Sequence, residues 1–161
     1  MSGEYKINVK VNGKNYERMV EPRLLLSDFI RHEIGLTGTH VGCEHGVCGT
    51  CTVLFDGLPS RSCLIFAVQA HRHEVVTVEG LGSIEQLHPL QKAFQEKHAL
   101  QCGYCTPGFL MTLVPFVEKH SHPSDEEIRE AIGGNLCRCT GYENIVEAVK
   151  LASAMMHTSK E

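Results

Sequence analysis

Eight cysteines in two groups of four constrain this chain of 161 residues more than any other feature. The first group follows the pattern Cys-x4-Cys-x2-Cys with a later fourth member, and consists of Cys43, Cys48, Cys51 and Cys63. The second group joins a Cys-x2-Cys pair to a distant Cys-x-Cys pair, and consists of Cys102, Cys105, Cys137 and Cys139. All the thiols of the chain therefore belong to two sets of four, which is the number of protein ligands that a metal site of this kind uses.

The spacing of the first quartet is that of plant-type ferredoxins, which hold a [2Fe–2S] cluster. Thiolates are soft ligands that suit iron–sulfur clusters, whereas Cys-x4-Cys is an awkward spacing for zinc. A zinc knuckle or a pair of disulfides is the alternative. Glycines flank the cysteines at positions 42, 46 and 49, where they let backbone N–H groups approach sulfur. The first quartet is therefore predicted to hold a [2Fe–2S] cluster.

The second quartet is less specific, because Cys102-Gly-Tyr-Cys105 also fits half of a zinc site or a redox-active Cys-x-x-Cys pair. No βαβ pattern surrounds it, which argues against a thioredoxin-like site. Both halves lie at predicted turns near glycines, and a first iron–sulfur site is predicted on the same chain. This context favours a second [2Fe–2S] cluster, with structural zinc left as the alternative.

The N-terminal half has the pattern of a small β-rich domain. Ile7, Val9 and Val11 alternate with polar residues, and Asn12-Gly13 predicts a tight hairpin turn before a second strand. A short helix follows from residue 26, and two further strands are predicted at 52–55 and 75–78. This order of hairpin, helix and strands is typical of a β-grasp.

After Glu79 the composition changes, and Gly80-Leu-Gly-Ser83 reads as a linker. Four apolar stripes with helical spacing follow, and Ser124-Asp-Glu-Glu127 predicts a capping box at the third. The predicted fold class is α+β, with a ferredoxin-like β-grasp domain at 1–79 and a four-helix domain at 80–161. Because such small domains have thin cores, metal-free protein is predicted to be loosely structured.

Composition excludes several classes of function. A net charge of −4 gives no reason to expect nucleic acid. No apolar run reaches the roughly 18 residues that cross a bilayer, and the first residues lack a secretory signal, so a cytoplasmic protein is expected. Dinucleotide, Walker, zinc-protease and serine-elbow motifs are all missing from the sequence. No catalytic residue is therefore assigned to this chain, and two clusters predict a carrier of single electrons.

Three longer motifs carry a family resemblance. They are Gly42-Cys-Glu-His-Gly-Val-Cys-Gly-Thr-Cys-Thr52, Gln101-Cys-Gly-Tyr-Cys-Thr-Pro-Gly108 and Gly134-Asn-Leu-Cys-Arg-Cys-Thr-Gly-Tyr142. In this order they resemble the iron–sulfur subunit of molybdenum hydroxylases, the xanthine oxidase family. That family includes carbon monoxide dehydrogenases, aldehyde dehydrogenases and hydroxylases of N-heterocycles. One departure is His40, where relatives often carry lysine.

The resemblance implies an electron-transfer subunit that turns over no substrate by itself. The quartet of the helical domain would hold the inner cluster, toward a large molybdopterin subunit, with Gln101 and Cys139 against the pterin. The quartet of the β-grasp domain would hold the outer cluster, toward a medium FAD subunit. Electrons would pass from molybdenum through the inner and outer clusters to the flavin, and the subunits would assemble as a dimer of heterotrimers.

Two other functions remain open from the sequence. A free two-cluster ferredoxin would shuttle between partners and be stable alone. A zinc-stabilised interaction module would be colourless and hold about two zinc ions. The substrate, the terminal electron acceptor and the reduction potentials are not encoded in these motifs.

Overall fold

A tight β-hairpin begins the fold in the computed structural model, which describes residues 3–158. Strand β1 (Tyr5–Val11) pairs with β2 (Lys14–Val20) along its whole length, ending at Val11 opposite Lys14. Asn12 and Gly13 form the two-residue loop, with φ of 50° and 78°, as a type I′ turn requires. The alternating residues predicted to face inward are buried. The hairpin prediction is therefore confirmed.

The hairpin leads into a short helix, α1 (Leu26–Asp28), which continues as one π-helical turn over Phe29–Glu33. Three further strands follow: β3 (Thr52–Phe55), β4 (Leu58–Arg61) and β5 (Glu74–Val76). The five strands form one mixed sheet in the order β2-β1-β5-β3-β4. Only β1 and β5 run parallel, and the other neighbours are antiparallel.

Two local features differ from the sequence prediction. Strand β4 was not expected, and it pairs with β3 through the turn at Asp56-Gly57. The last strand ends at Val76, because the chain turns through a 3₁₀ segment, Val78–Gly80, instead of extending to Val78. These differences change strand lengths and leave the overall order of elements intact.

Four helices make up the second half of the chain. They are α2 (Pro89–Glu96), α3 (Thr106–Lys119), α4 (Asp125–Ile132) and α5 (Glu143–Thr158). The predicted capping box is present at α4, since Ser124 Oγ accepts from the Glu127 N–H and the Glu127 carboxylate accepts from the Ser124 N–H. The predicted α+β class, a ferredoxin-like sheet followed by helices, is confirmed.

Each half has its own hydrophobic cluster. Phe29, Ile30 and Val9 are among the buried side chains of the sheet cluster, and Phe94 and Phe109 are among those of the helical cluster. Leu54 of β3 belongs to the helical cluster, so the helices pack directly on the sheet. The domain boundary after Glu79 stays a prediction. None of the helices within residues 3–158 has the length and apolarity needed to span a bilayer.

Candidate metal centres

The first quartet is assembled from three segments of the β-grasp half. Cys43 and Cys48 lie in the long loop between α1 and β3, Cys51 directly precedes β3, and Cys63 lies in a 3₁₀ turn after β4. The Cys63 sulfur contacts that of Cys51, and the Cys43 sulfur contacts that of Cys48. The structure therefore brings the four predicted sulfurs together as two pairs.

Backbone N–H groups are directed at this site. The Cys48 N–H lies 3.4 Å from Cys43 Sγ, and its hydrogen bond, with one from His45, lowers the pKa of Cys43 to about 6. Burial and the neighbouring Cys51 sulfur raise the pKa of Cys63 to about 12. Hydrogen bonds thus stabilise the thiolate of Cys43, whereas the buried Cys63 needs a metal to lose its proton.

The second quartet lies where helices begin and end. Cys102 and Cys105 precede α3, and Cys137 and Cys139 lie in the turn between α4 and α5. Cys139 Sγ is 3.6 Å from Cys102 Sγ, and the Cys105 sulfur contacts that of Cys137. Cys102 and Cys139 are exposed, whereas the other pair is half-buried. These four sulfurs also meet as two pairs.

The two half-buried cysteines of this quartet, Cys105 and Cys137, have pKa values shifted in opposite directions. Burial and the contact with Cys137 raise the pKa of Cys105 to about 12. Burial also acts to raise the pKa of Cys137, but hydrogen bonds from the Thr140 hydroxyl and N–H outweigh it and lower that pKa. The Thr140 hydroxyl lies 3.1 Å from Cys137 Sγ.

The spacing of the sulfurs separates a binuclear cluster from zinc. Tetrahedral zinc with Zn–S bonds near 2.3 Å would bring all four sulfurs within roughly 3.8 Å of one another. Among the described residues, the only set of three or more potential ligand groups within 4.8 Å of each other is an exposed carboxylate trio, Asp125, Glu143 and Glu147. The cysteine quartets are therefore wider than a mononuclear site, and two pairs of thiolates match two irons.

Polar groups near the quartets also fit a cluster. Thr106 directly follows Cys105, and its buried hydroxyl has no hydrogen-bond partner among residues 3–158. A Cβ added at Gly42 would lie 3.3 Å from Cys48 Sγ, so this glycine keeps the space beside that sulfur open. The donor set and its surroundings therefore suit [2Fe–2S] clusters at both quartets.

The two quartets are joined by backbone contact between the halves of the chain. The Leu136 N–H donates to the Cys48 carbonyl oxygen at 2.9 Å. Cys48 belongs to the first quartet, and Leu136 directly precedes Cys137 of the second. Beside it, the buried Asn135 donates from Nδ2 to the Gly49 carbonyl oxygen at 3.1 Å. Gly49 has φ of +73°, and a Cβ there would lie 2.5 Å from Gly134 O, so only glycine fits this contact.

A second contact between the loops involves Tyr104, which lies between Cys102 and Cys105. Its hydroxyl donates to the Val41 carbonyl oxygen at 2.7 Å, and its ring stacks on His40 with centroids 4.7 Å apart. His40 Nδ1 also lies 2.8 Å from Tyr104 O. His40 is therefore part of the contact between the two cysteine loops.

The remaining predicted site residue, Gln101, is exposed beside Cys102. His45 is exposed too, and its Nδ1 contacts the Cys43 carbonyl oxygen. Sequence patterns did not single out Asn135, Leu136 or Thr140, although all three lie within the third motif. Their partners lie in distant segments or across a turn, which spacing alone does not reveal.

Known protein families match both halves of the chain. A 2Fe-2S iron-sulfur cluster binding domain matches residues 9–74, and a [2Fe-2S] binding domain matches residues 77–150. Each match contains one complete cysteine quartet. The chain accordingly binds two [2Fe–2S] clusters.

Individual relatives are similar over nearly the whole chain. The caffeine dehydrogenase subunit gamma of Pseudomonas sp. (strain CBB1) is 57% identical over 96% of this chain and 94% of its own length. The nicotine 6-hydroxylase small subunit of Paenarthrobacter nicotinovorans is 51% identical over 92% of this chain and 89% of its own length.

Two solved structures share the fold. A chain of quinoline 2-oxidoreductase from Pseudomonas putida 86 superposes with a TM-score of 0.93, at 49% identity and 99% coverage of both chains. The aldehyde oxidoreductase from Desulfovibrio desulfuricans superposes with a TM-score of 0.91 at 40% identity. In that case the match covers 96% of this chain but only 17% of the other.

Proposed function

The chain belongs to the iron–sulfur subunits of the xanthine oxidase family of molybdenum hydroxylases, and we propose that it relays electrons between a molybdopterin site and an FAD on partner subunits. It is an electron-transfer subunit of an oxidoreductase. Each [2Fe–2S] cluster supplies one-electron redox chemistry. The protein's own contribution is to hold the clusters, shield them and present them to partners.

The ligand assignment follows the pairing of the sulfurs. Cys43 and Cys48 would bind one iron of the first cluster, with Cys51 and Cys63 on the other. In the second cluster, Cys102 would share an iron with Cys139, and Cys105 with Cys137. Two thiolates on each iron satisfy the usual coordination of this cluster type.

The observation that carries the proposal is the hydrogen bond between Leu136 and Cys48. It connects a ligand of the first cluster to the residue that precedes Cys137, a ligand of the second. It therefore holds the two quartets next to each other, as the passage of an electron from one cluster to the other requires. Because it is part of the packing between the sheet and the helices, it keeps the two centres at a fixed separation.

The exposed residues at each quartet support a proposal for which partner subunit each cluster faces. Cys102, Cys139 and Gln101 are exposed together at the second quartet, which makes this face suited to a molybdopterin subunit, with Gln101 and Cys139 against the pterin. The half-exposed Cys43 lies in a loop whose tip is exposed, and this face would meet the FAD subunit.

The names and lengths of the relatives support a subunit over a free shuttle. Two relatives that match nearly the whole chain are a gamma subunit and a small subunit by name. In the aldehyde oxidoreductase the equivalent segment is only 17% of a longer chain. We therefore propose a large and a medium partner subunit, assembled as a dimer of heterotrimers in the cytoplasm, where unpaired thiols stay reduced.

Cys48→Ser and Cys105→Ser in the assembled complex test the serial relay. Cys48→Ser is expected to abolish one of two reduced-cluster EPR signals and to block flavin reduction by substrate, while the molybdenum site still accepts substrate electrons. Cys105→Ser should abolish the other signal and isolate the molybdenum site. Full steady-state turnover in both variants would contradict the relay. The native mass of the wild-type complex tests the subunit arrangement independently.

A further inference from the structure

One side-chain hydroxyl contacts a cysteine sulfur in the part of the chain from residue 3 to 158. Thr140 Oγ1 donates to Cys137 Sγ at 3.1 Å, and the Thr140 N–H approaches the same sulfur at 3.4 Å. At the first quartet, the sulfur of Cys43 receives a backbone N–H from Cys48 instead. The two sites therefore differ in a contact that a single substitution can remove.

The direction of the Thr140 hydroxyl is fixed by its second partner. The Tyr142 N–H donates to Thr140 Oγ1 at 3.2 Å, which occupies a lone pair and leaves the O–H hydrogen for sulfur. Tyr142 holds the same turn closed, because its hydroxyl oxygen accepts from the Cys137 N–H at 2.9 Å. The Tyr142 ring packs edge-on against Phe109 of the helical core, with centroids 6.2 Å apart.

The backbone of this turn is adapted to that arrangement. Tyr142 has φ of +70°, a left-handed conformation that residues with a side chain rarely adopt. This φ sets the direction in which the Tyr142 side chain leaves the backbone, and the Tyr142 hydroxyl then accepts from the Cys137 N–H. The turn thus positions a hydroxyl donor on one specific sulfur.

We propose that the Thr140 hydroxyl raises the reduction potential of the cluster held by Cys102, Cys105, Cys137 and Cys139. This inference rests on the proposed function, because it takes Cys137 as a cluster ligand. A cluster that gains an electron places more negative charge on its sulfurs, and a hydrogen-bond donor stabilises that charge. Thr140 therefore favours electron uptake at the second site and leaves the first site unaffected.

A purely structural role for Thr140 makes a different prediction. Its oxygen also stabilises the turn before α5 by accepting from Tyr142, so losing it would lower the thermal stability. A stability effect alone does not shift the midpoint potential of one cluster while the other stays constant. The potential is therefore the measurement that separates the two roles.

The test is a dithionite titration of the purified complex, monitored by EPR, with Thr140→Val, Thr140→Ser and a control, Thr112→Val. Thr112 is a matched control because its hydroxyl donates to Asn135 Oδ1 at 3.0 Å and not to sulfur. The signal that survives in Cys48→Ser identifies the second cluster. If Thr140→Val does not retain its clusters, Thr140→Ala provides the same comparison with a smaller side chain.

Thr140→Val is expected to reduce the ratio of reduced to oxidised second cluster by up to about tenfold at a fixed potential, a shift of about 59 mV for one electron. Thr140→Ser and Thr112→Val should match the wild type, and the first signal should not move in any variant. An unchanged midpoint in Thr140→Val, or equal shifts in the Val and Ser variants, would overturn this inference and leave the proposed function standing. Wild-type complex without two [2Fe–2S] signals would overturn the proposed function and this inference with it.

Discussion

Asn135 is the buried side chain that joins the two cluster loops, and both ends of its amide are used. Its Nδ2 donates to Gly49 O at 3.1 Å, and its Oδ1 accepts from the Thr112 hydroxyl at 3.0 Å. It is 2% exposed, so water cannot replace either bond. Geometry at this single residue therefore contributes to the fixed separation of the two quartets.

Asn135→Asp should destabilise the protein, because it replaces the buried donor by an oxygen that faces the Gly49 carbonyl. The expected loss of roughly 2–3 kcal/mol corresponds to a Tm lower by roughly 5–10 °C. The measurement is thermal unfolding of the cluster-loaded protein. Asn144→Asp is the control, since its exposed Nδ2 donates to His98 O at 3.2 Å. An equal change in Tm for the two variants would contradict the role given to Asn135.

At the residue scale, the sequence predicted the members of each quartet but not their pairing. The spacing groups Cys102 with Cys105, whereas the structure pairs the Cys102 sulfur with that of Cys139, 37 residues away. Pairing depends on how α3 and the turn before α5 approach each other, and that is a property of tertiary packing. The contact between Thr140 and Cys137 was equally hidden, since the direction of the hydroxyl depends on the hydrogen bond that Thr140 Oγ1 accepts from the Tyr142 N–H.

Among the helices and strands, the best-predicted features have local causes. Asn12-Gly13 selects the turn of the first hairpin, and Ser124 with Glu127 marks the start of α4, so a few neighbouring residues decide each structure. Strand β4 was missed because it is a short edge strand with Pro59 at its second position, which weakens any strand pattern. The strand pairs with β3 because the turn between them brings it back to the sheet.

Ser124→Ala removes the side-chain acceptor of the α4 capping box and tests the contribution of this element. The expected cost is about 1 kcal/mol, or a Tm lower by roughly 3 °C. Thermal unfolding should be compared with Ser60→Ala, where the hydroxyl donates to the Leu58 carbonyl oxygen of an exposed edge strand. If Ser60→Ala lowered the Tm as much as Ser124→Ala, the cap would have no special role.

For the whole molecule, the contact between sheet and helices explains how one small chain carries two centres. Leu54 of β3 is buried among helical side chains, and Gly108 of α3 packs so closely on the Gly49–Thr50 backbone that no Cβ fits there. Sequence patterns predicted two units with one quartet each, but they contain no signal for this contact. The contact joins residues that are far apart in the sequence, and only the folded chain brings them together.

Removal of the clusters should loosen the loops of both quartets more than the cores. Cys63 and Cys105 have raised pKa values because burial penalises their thiolates, so without metal both remain protonated at neutral pH. Amide hydrogen exchange on chelator-treated and cluster-loaded protein measures the effect. Protection should fall strongly at residues 36–51 and 134–142, and less within β1 and α5. Unchanged protection in both loops would show that the clusters are not part of the fold.

The central claim is that both quartets hold [2Fe–2S] clusters, and it is tested most directly by iron, sulfide and zinc analysis with EPR after dithionite reduction. Protein purified anaerobically should contain about four irons and four sulfides per chain and should give two distinct S = ½ signals. Zinc at the second quartet with a single EPR signal would contradict the account, because one of the two relay sites would then be unable to carry an electron.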